Sequence, residues 1–373
     1  MKIAVLENTW IGHHAGYCTR ICQVLVELGH NVTLFCPKVN DIRIPLGISV
    51  FHLPLTKPYG FRLGMFKPPL QALKFAHDAS AALRTSNLSF DLLFFPSIDK
   101  YCHQHLDSRL LASLFPAPFT GIYFAAHGFW FPTHLTSISL KSTAAFGVLD
   151  EESADFLSRK TSREVFVFPD FSATTMTTTF RSELVHRIGS LANGRTIILL
   201  AGDLRKRKGL LPFLKWADST HAGNFFFVVV GKLHFDNFST EENQFIERMT
   251  CRTKRCFIQL SAVDDNEFDS LLQCADLIWV CYESFPSSSN LITKAAQLEK
   301  PVLVASGALL EQRVRKFQLG AVAKSKCPYA LREAALLALT SFRKEGAMDY
   351  SQHHSLEKLK PAVEKLIAAC DPM

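Results

Sequence analysis

Short apolar runs alternate with helix-like segments along almost the whole chain, and this alternation limits the folds that are open to it. The first run, Lys2-Ile-Ala-Val-Leu6, is followed by a glycine-containing loop and then by a helical pattern from Tyr17 to Leu28. Gly29 closes that pattern as a helix C-terminal signal, and a second apolar run, residues 31–36, comes soon after it. Strands that alternate with helices in this way pair as parallel strands, with helices on both faces of the sheet. The sequence therefore predicts an α/β protein.

A second series of the same kind begins at residues 196–201, so we expect two α/β domains. The length of 373 residues suits two domains better than one. The stretch 173–194 is rich in Thr and Ser and then polar with a helical pattern, and we assign it as the linker between a first domain, 1–172, and a second domain, 195–352. The predicted strands are 2–6, 31–36, 48–53, 91–95, 120–126, 145–149 and 164–168 in the first domain, and 196–201, 225–230, 256–259, 277–281 and 301–304 in the second.

Composition excludes several other classes of protein. Hydrophobic residues make up 48% and charged residues 20% of the chain, which is a globular balance rather than a disordered one. The ten cysteines are scattered without a CxxC pair, which favours reduced, mostly buried thiols over disulfides or zinc ligands. The sequence has no apolar run of the roughly 18–20 residues that a membrane span needs, and Met1 leads straight into a strand without a signal peptide. We therefore expect a cytoplasmic protein.

The formal net charge of +7 is modest for this length, and the Lys and Arg residues are dispersed apart from the runs 205–208 and 252–255. A nucleic-acid-binding protein would show a longer basic face with interleaved aromatic residues. The charge suits a phosphate-bearing small molecule better, or peripheral contact with an anionic membrane surface.

The strongest local signal is a basic turn after the first strand of the second domain. An apolar run ends at Gly202, the residues Arg205-Lys206-Arg207-Lys208 follow, and a helix is predicted to begin at Gly209. A helix N-terminus presents unpaired N–H groups and a partial positive charge, so adjacent Arg and Lys side chains make it a good clamp for a diphosphate. A solvated basic turn without function is the alternative.

The second signal is a serine-rich turn later in the same domain. The chain leaves the strand 277–281 and enters a predicted helix around Lys294 through a polar turn that includes Glu283, Ser287, Ser288, Ser289 and Asn290. The three serine hydroxyl groups and the backbone amides of this turn could hold a phosphate or the hydroxyl groups of a sugar. Plain N-capping of the helix by Ser288 or Ser289 is the alternative.

Taken together, these segments resemble the C-terminal domain of the retaining GT-B glycosyltransferases of family four. In that family a strand, a glycine and a basic Lys-Gly turn grip the donor diphosphate, and a later acidic loop and helix grip the ribose and the donor sugar. The apolar run that ends at Gly231, the Ala-Asp step at Asp276, the pair Gly29-His30 and the pair Pro169-Asp170 stand in the family's order. The resemblance implies a GT-B fold, with two Rossmann-like domains whose parallel sheets face a central cleft. It also implies a C-terminal helix, within 353–373, that crosses back onto the first domain.

Carried over onto this sequence, the resemblance assigns donor binding to the basic turn and the serine-rich turn. The predicted donor-binding residues are Gly202, Arg205, Arg207, Lys208, Glu283, Ser287, Ser288, Ser289 and Asn290. Asp203 departs from the family, which commonly has an Arg directly after the glycine, and Lys294 replaces the Glu that normally accepts the ribose hydroxyls. Arg205 or Arg207 could supply the missing guanidinium, whereas a lysine cannot accept a hydrogen bond. We therefore expect a donor site rebuilt around hydroxyl groups and backbone amides.

In the first domain, the resemblance assigns acceptor binding to the loop after the first strand. The predicted acceptor-binding residues are Gly12, His13, His14 and Tyr17. Exposed loop histidines without function are the alternative. His127 ends a predicted strand at the edge where open α/β sheets bind ligands, and the family often has a histidine there that contacts the donor sugar. For His127 the alternative is a buried core histidine.

The resemblance implies transfer of a sugar from a nucleotide-diphosphate sugar to an acceptor hydroxyl, with retention of the anomeric configuration. His127 and Lys208 are the predicted catalytic residues. Lys208, with Arg205 or Arg207 and helix N-termini, would stabilise the leaving diphosphate electrostatically, so neither a metal nor a cofactor is expected. Glycans, lipid-linked sugars and small molecules all remain open as acceptors. The alternative is a GT-B-shaped binding or partner subunit that transfers no sugar, and the two departures from the family favour it.

Overall fold

The computed structural model describes residues 1–10, 13–38, 44–54, 67–101, 113–124, 145–161, 163–172, 182–251, 254–285 and 287–370. The chain divides into two compact units. The first consists of Met1–Thr174 together with His354–Met373, and the second is Thr175–His353.

The first unit is built on a parallel sheet. Its strands are β1 (Lys2–Leu6), β2 (Asn31–Pro37), β3 (Ser49–Leu53), β4 (Leu92–Phe95), β5 (Phe119–Tyr123), β6 (Ala145–Val148) and β7 (Glu164–Val167). The helices α1 (His13–Glu27), α2 (Lys67–Thr85) and α3 (Glu151–Thr161) lie between strands in the chain. The strand order is β3-β2-β1-β4-β5-β6-β7, and every neighbouring pair is parallel.

The second unit has the same layout. Its strands are β8 (Thr196–Ala201), β9 (Phe225–Val230), β10 (Cys256–Gln259), β11 (Leu277–Val280), β12 (Val302–Ala305) and β13 (Gly320–Ala323). Its helices are α4 (Glu183–Ala192), α5 (Leu210–Ala217), α6 (Thr240–Thr250), α7 (Asp265–Cys274), α8 (Asn290–Gln297), α9 (Ala308–Phe317), α10 (Pro328–Ser341) and α11 (Lys344–His353). The parallel strands follow the order β10-β9-β8-β11-β12-β13.

Strand β9 shows why the second unit is rich in uninterrupted apolar runs. Successive side chains of a strand point to opposite faces of the sheet. Phe225, Phe227 and Val229 belong to the core on one face, and Phe226, Val228 and Val230 belong to the core on the other. Because helices cover both faces, the strand has no polar side to alternate with its apolar one.

In each sheet the strand order reverses at one place, which we call the switch point. It lies between β1 and β4 in the first unit and between β8 and β11 in the second. The connections that leave these strands diverge to opposite sides of the sheet, and the crevice between them at the carboxyl ends is where open α/β sheets bind ligands. The segments after these four strands are therefore the places to look for a site.

The polar half of the predicted linker is a helix of the second unit. In α4 the Oγ of Ser182 accepts a hydrogen bond from the Val185 backbone N–H, and Asn193 ends the helix in the left-handed conformation. Ile188 and Ala192 are buried in the core of this unit, where α4 packs against α7. The helical part of the predicted linker, 173–194, therefore packs on the second unit, where Leu184 and Val185 also contact the core.

The C-terminal helix, Leu359–Cys370, belongs to the first unit and packs against α1, β6 and β7. Val363 and Leu366 are fully buried, and Lys360 Nζ lies 3.7 Å from Glu27 Oε2 of α1. Among the helices that the structure describes, none is long and apolar enough to cross a membrane.

Candidate functional site

The basic turn and the serine-rich turn meet at the switch point of the second sheet. Trp279 in β11 donates a hydrogen bond from Nε1 to the backbone oxygen of Lys208, 71 residues away in sequence, at 3.1 Å. The backbone N–H of Glu283 donates to the backbone oxygen of Arg207 at 2.7 Å. The two strongest sequence signals therefore form one site.

Gly209 allows the basic turn to lie this close to the end of β11, and Gly202 gives the start of the turn a positive φ. Gly209 has φ 76°, and a Cβ added there would lie 2.4 Å from the Cys281 backbone oxygen. Gly202 has φ 104°, which an L side chain rarely adopts. Residues 206–208 form a short 3₁₀ turn, and α5 begins at Leu210, one residue after the predicted start.

Lys208 is held against the end of β11 by Tyr282. Its Nζ donates a hydrogen bond to the Tyr282 hydroxyl at 2.7 Å and lies 3.9 Å from the centre of the Tyr282 ring. Tyr282 is 6% exposed, so the aromatic partner is fixed by packing. The combination of a hydrogen bond with a cation–π contact gives the ammonium group a defined position.

The other charged side chains of the basic turn are also held in place. Arg207 lies over the Phe285 ring at 4.9 Å, and burial lowers the pKa of its guanidinium, which stays protonated at neutral pH. Asp203 Oδ2 accepts from Arg205 at 3.2 Å, and its Oδ1 lies 3.3 Å from Nε2 of His234. Partial burial alone would raise the pKa of Asp203, but the His234 hydrogen bond and the Arg205 charge outweigh it and lower that pKa. Asp203 thus orients Arg205.

Glu283 belongs to the site, but its carboxylate is engaged at the surface. Oε1 lies 2.9 Å from Nζ of Lys326, a residue that the sequence analysis did not single out. The next residue, Ser284, adopts φ 46°, and this left-handed turn directs the chain toward α8.

The hydroxyl groups of the serine-rich turn bind partners other than the N-terminus of α8. Ser289 occupies the N-cap position without a side-chain capping bond, and its Oγ lies 3.4 Å from the Tyr282 hydroxyl instead. Ser288 Oγ accepts from Arg313 Nη1 at 2.5 Å, and Ser287 is half-buried. The N-capping alternative is therefore wrong for the side chain of Ser289.

Asn290, the first residue of α8, carries a buried acceptor. Its Oδ1 is buried and has no hydrogen-bond partner within the described part of the chain. A buried polar atom without a partner costs about 1–3 kcal/mol, and such atoms in native proteins call for a water molecule or a ligand.

Lys294 is part of the core and does not line an open site. Its Nζ lies 2.5 Å from Asp269 Oδ1, and the two side chains are 8% and 5% exposed. The ammonium group also lies 5.3 Å from the centre of the Phe268 ring. The position at which the family has its second Glu is therefore occupied by an ion pair that joins α7 and α8.

A polar cluster that the sequence analysis missed lies at the switch point of the first sheet. Glu7, which follows β1 and is 1% exposed, accepts hydrogen bonds from Lys100 Nζ at 2.8 Å and from Ser97 Oγ at 3.1 Å. His14 Nδ1 lies 3.3 Å from Lys100 Nζ and 3.4 Å from Ser97 Oγ. Burial raises the pKa of the neighbouring Asp99, although the Lys100 charge opposes it. Glu7 follows the buried strand β1, and Ser97 and Lys100 follow the buried strand β4. A polar residue just after a buried strand is the sequence signal by which this cluster could be predicted.

The predicted acceptor residues lie at the start of helix α1 or outside the described residues. Helix α1 begins at His13, so His14 and Tyr17 lie in its first turns and not in a loop. Tyr17 is 4% exposed, its hydroxyl donates to the Pro169 backbone oxygen at 3.1 Å, and its ring stacks on Phe171 at 4.5 Å. Tyr17 is therefore a core residue, and its assignment to acceptor binding is not supported. Gly12, the His13 side chain and His127 lie outside the described residues.

No group of three or more His, Cys, Asp or Glu side chains within the described ranges is arranged to hold a metal ion.

Comparison with known proteins connects this arrangement to a fold. No family model matches the chain, and no curated protein sequence matches it. Among solved structures, sucrose-phosphate synthase from Thermosynechococcus elongatus is similar over 98% of both chains, with a TM-score of 0.70 and 15% identity. A solved structure described as "Trehalose-6-phosphate from E. coli bound with UDP-2-fluoro glucose" is similar over 100% of both chains, with a TM-score of 0.69 and 11% identity.

WaaG, a glycosyltransferase involved in lipopolysaccharide biosynthesis, is similar over 98% of both chains, with a TM-score of 0.62 and 15% identity. At these identities the likeness concerns the fold, and it extends over both units. The resemblance to GT-B glycosyltransferases is thereby confirmed at the level of architecture, and the chain has the GT-B fold with two parallel-sheet α/β units.

Proposed function

We propose that this protein is a glycosyltransferase that moves a sugar from a nucleotide-diphosphate sugar to an acceptor hydroxyl, with retention and without a metal. The observation that carries the proposal is the position of Lys208 on Tyr282 at the switch point of the second sheet. A cation at the carboxyl ends of parallel strands, beside the start of a helix, suits a diphosphate.

The proposed reaction needs little from the protein beyond charge. The bond between the anomeric carbon and the diphosphate oxygen breaks, and a bond from that carbon to the acceptor oxygen forms. The acceptor hydroxyl proton passes to the departing phosphate oxygen, and a nucleoside diphosphate leaves. Lys208 and Arg207 stabilise the negative charge that develops on the diphosphate, and Asp203 keeps Arg205 close to them.

The sugar and ribose hydroxyls would be bound by the serine-rich turn. Asn290 Oδ1 is a buried acceptor that a ligand hydroxyl can satisfy. Ser287 and the first backbone N–H groups of α8 supply further polar contacts. Glu283, whose backbone N–H already donates to the basic turn, would supply the carboxylate acceptor that Lys294 cannot provide.

Acceptor binding is proposed for the first unit. His14, held beside Lys100 and Glu7, offers a ring that can bond to a hydroxyl group. Gly12 and His13 remain proposed acceptor residues, and His127 remains a proposed catalytic residue together with Lys208. The acceptor class stays open among glycans, lipid-linked sugars and small molecules, with contact at a membrane surface as part of the lipid-linked case.

One observation favours a second candidate, a GT-B-shaped binding or partner subunit. The Lys294–Asp269 ion pair occupies the position of the ribose-binding carboxylate of family four. A subunit of this kind would bind a nucleotide or a partner protein without transferring sugar.

Nucleotide binding and turnover separate the two candidates. Thermal unfolding is measured with UDP-, GDP- and ADP-sugars for the wild type, for Lys208→Ala and for the matched control Lys206→Ala. Lys206 is in the same turn but pairs with Glu242 at the surface. We expect one class of nucleotide to stabilise the wild type and Lys206→Ala but not Lys208→Ala. Release of nucleoside diphosphate in the presence of acceptors supports the enzyme, whereas binding without release supports the binding subunit. Absence of any nucleotide effect contradicts the donor site.

A further inference from the structure

A buried arginine on a different helix donates a hydrogen bond to the serine-rich turn. Arg313 lies in α9, the helix that connects β12 to β13, and is only 4% exposed. Its Nη1 donates to Ser288 Oγ at 2.5 Å. A buried guanidinium is costly to desolvate and rigid in its donor geometry, so it fixes the group that it binds more firmly than a flexible ammonium would.

Arg313 is itself fixed by a second contact. Nη1 also lies 3.2 Å from the hydroxyl of Tyr350 in α11, which is fully buried. The Tyr350 hydroxyl lies 3.3 Å from Oγ1 of Thr293 in α8. Polar contacts of Arg313 and Tyr350 therefore join the three helices α8, α9 and α11 next to the turn that precedes α8.

The neighbouring serine leads to the proposed diphosphate-binding lysine. Ser289 Oγ lies 3.4 Å from the Tyr282 hydroxyl, and that hydroxyl accepts from Lys208 Nζ at 2.7 Å. Ser288 is anchored to Arg313 and Ser289 is directed to Tyr282, and a single peptide bond joins the two serines. Movement of Ser288 would therefore displace Ser289 and change the surroundings of Lys208.

We infer that Arg313 is a positioning residue for donor binding, acting through Ser288 to fix the turn 287–290 relative to Lys208. This inference rests on the proposed function. Arg313 acts through the turn, so its role differs from that of Lys208, which would bind the diphosphate directly. Its effect is expected mainly on donor affinity and KM, with a smaller effect on kcat.

The test compares Arg313→Lys with Arg315→Lys. Lysine keeps the charge at position 313 but loses the planar, forked donor geometry. Arg315 is on the same helix, pairs with Glu311 at 2.8 Å and is exposed, so its substitution controls for a general effect on α9. UDP-glucose, GDP-mannose and ADP-glucose serve as the nucleotide-sugar probes.

We expect Arg313→Lys to weaken binding of the probe that stabilises the wild type by about tenfold, the equivalent of one charge-assisted hydrogen bond. Arg315→Lys should bind like the wild type. Ser288→Ala should weaken binding to a similar extent, and Arg313→Lys/Ser288→Ala should be no weaker than the worse single variant, because both remove the same contact. Tyr350→Phe, which keeps the ring and removes the hydroxyl, should give a smaller loss of the same kind.

Amide hydrogen exchange in residues 287–292 gives a readout that does not depend on any nucleotide. Faster exchange in Arg313→Lys but not in Arg315→Lys is expected. Unchanged exchange, or additive losses in the double variant, would overturn the inference. Nucleotide binding that depends on Lys208 would still support the proposed function in that case. If the wild type binds none of the probes, the proposed function falls and the inference falls with it, even where exchange in the turn has changed.

Discussion

Substitution of Lys294 offers the sharpest test of how the second unit is held together. The side chains of Lys294 and Asp269 are 8% and 5% exposed, and the 2.5 Å contact between them joins α8 to α7. Removing one partner of a buried ion pair leaves an uncompensated charge in the core and costs about 3–5 kcal/mol. That is a large share of the roughly 5–15 kcal/mol by which an ordinary domain is stable. We therefore expect Lys294→Met to lower the free energy of unfolding of the second unit by about 3–5 kcal/mol.

A double-mutant cycle separates the charge from the packing. Lys294→Met/Asp269→Leu removes both charges and keeps apolar volume, so its stability should lie close to that of the wild type. Lys294→Glu would restore the residue of family four, but it places two carboxylates together and should destabilise at least as much as Lys294→Met. The exposed pair of Lys344 with Glu299 is the matched control, and Lys344→Met should cost far less than Lys294→Met because solvent screens this pair.

The assay is urea denaturation followed by circular dichroism and fluorescence, with the free energy obtained by linear extrapolation. If Lys294→Met costs no more than Lys344→Met, the buried pair contributes nothing particular to the core. If the losses of Lys294→Met and Asp269→Leu simply add in the double variant, the two residues are not coupled. Either result would refute the interpretation of Lys294 as a structural residue.

Three further predictions concern single positions. Gly209→Ala should destabilise the protein by about 1–3 kcal/mol in thermal or urea unfolding, because its Cβ would meet the Cys281 backbone oxygen at 2.4 Å and its φ is positive; unchanged stability would contradict the close approach. Asp203→Asn should cost less than about 1 kcal/mol at pH 7, since the group is half exposed. Because folding lowers the pKa of Asp203, its contribution is present above the unfolded pKa of about 3.9 and is lost as pH falls through the folded value, so the cost should vanish in acid. Iodoacetamide at pH 8 should label Cys327, because this thiol is exposed and a backbone hydrogen bond lowers its pKa. It should spare Cys36, because burial raises the pKa of that thiol to about 12. Equal labelling of the two residues in mass spectrometry would contradict this prediction.

Local patterns predicted strands β1 to β12 but missed β13, and they did not fix the ends of the elements. The apolar run at 225–230 and the glycine-bounded turn at 202–209 are encoded by neighbouring residues, and both are present where the sequence predicts them. Helix α1 begins earlier than expected, at His13, because no strong breaker separates the predicted loop from the helix. Helix α4 lies within the predicted linker, and only the tertiary fold shows that its apolar side chains pack against α7.

Sequence patterns alone predict the α/β class, the alternation of strands and helices along the chain, and the two turns that carry the candidate donor site. These depend on the period of apolar residues and on glycines whose effect is local. The folded chain is needed to see that Tyr282 holds Lys208, that Asp269 neutralises Lys294 and that Arg313 binds Ser288. Those contacts join segments 25 to 74 residues apart, and which segments meet depends on the strand order in the sheet. That order depends on how the helices pack on both faces of the sheet. The residues of a single segment do not reveal this packing.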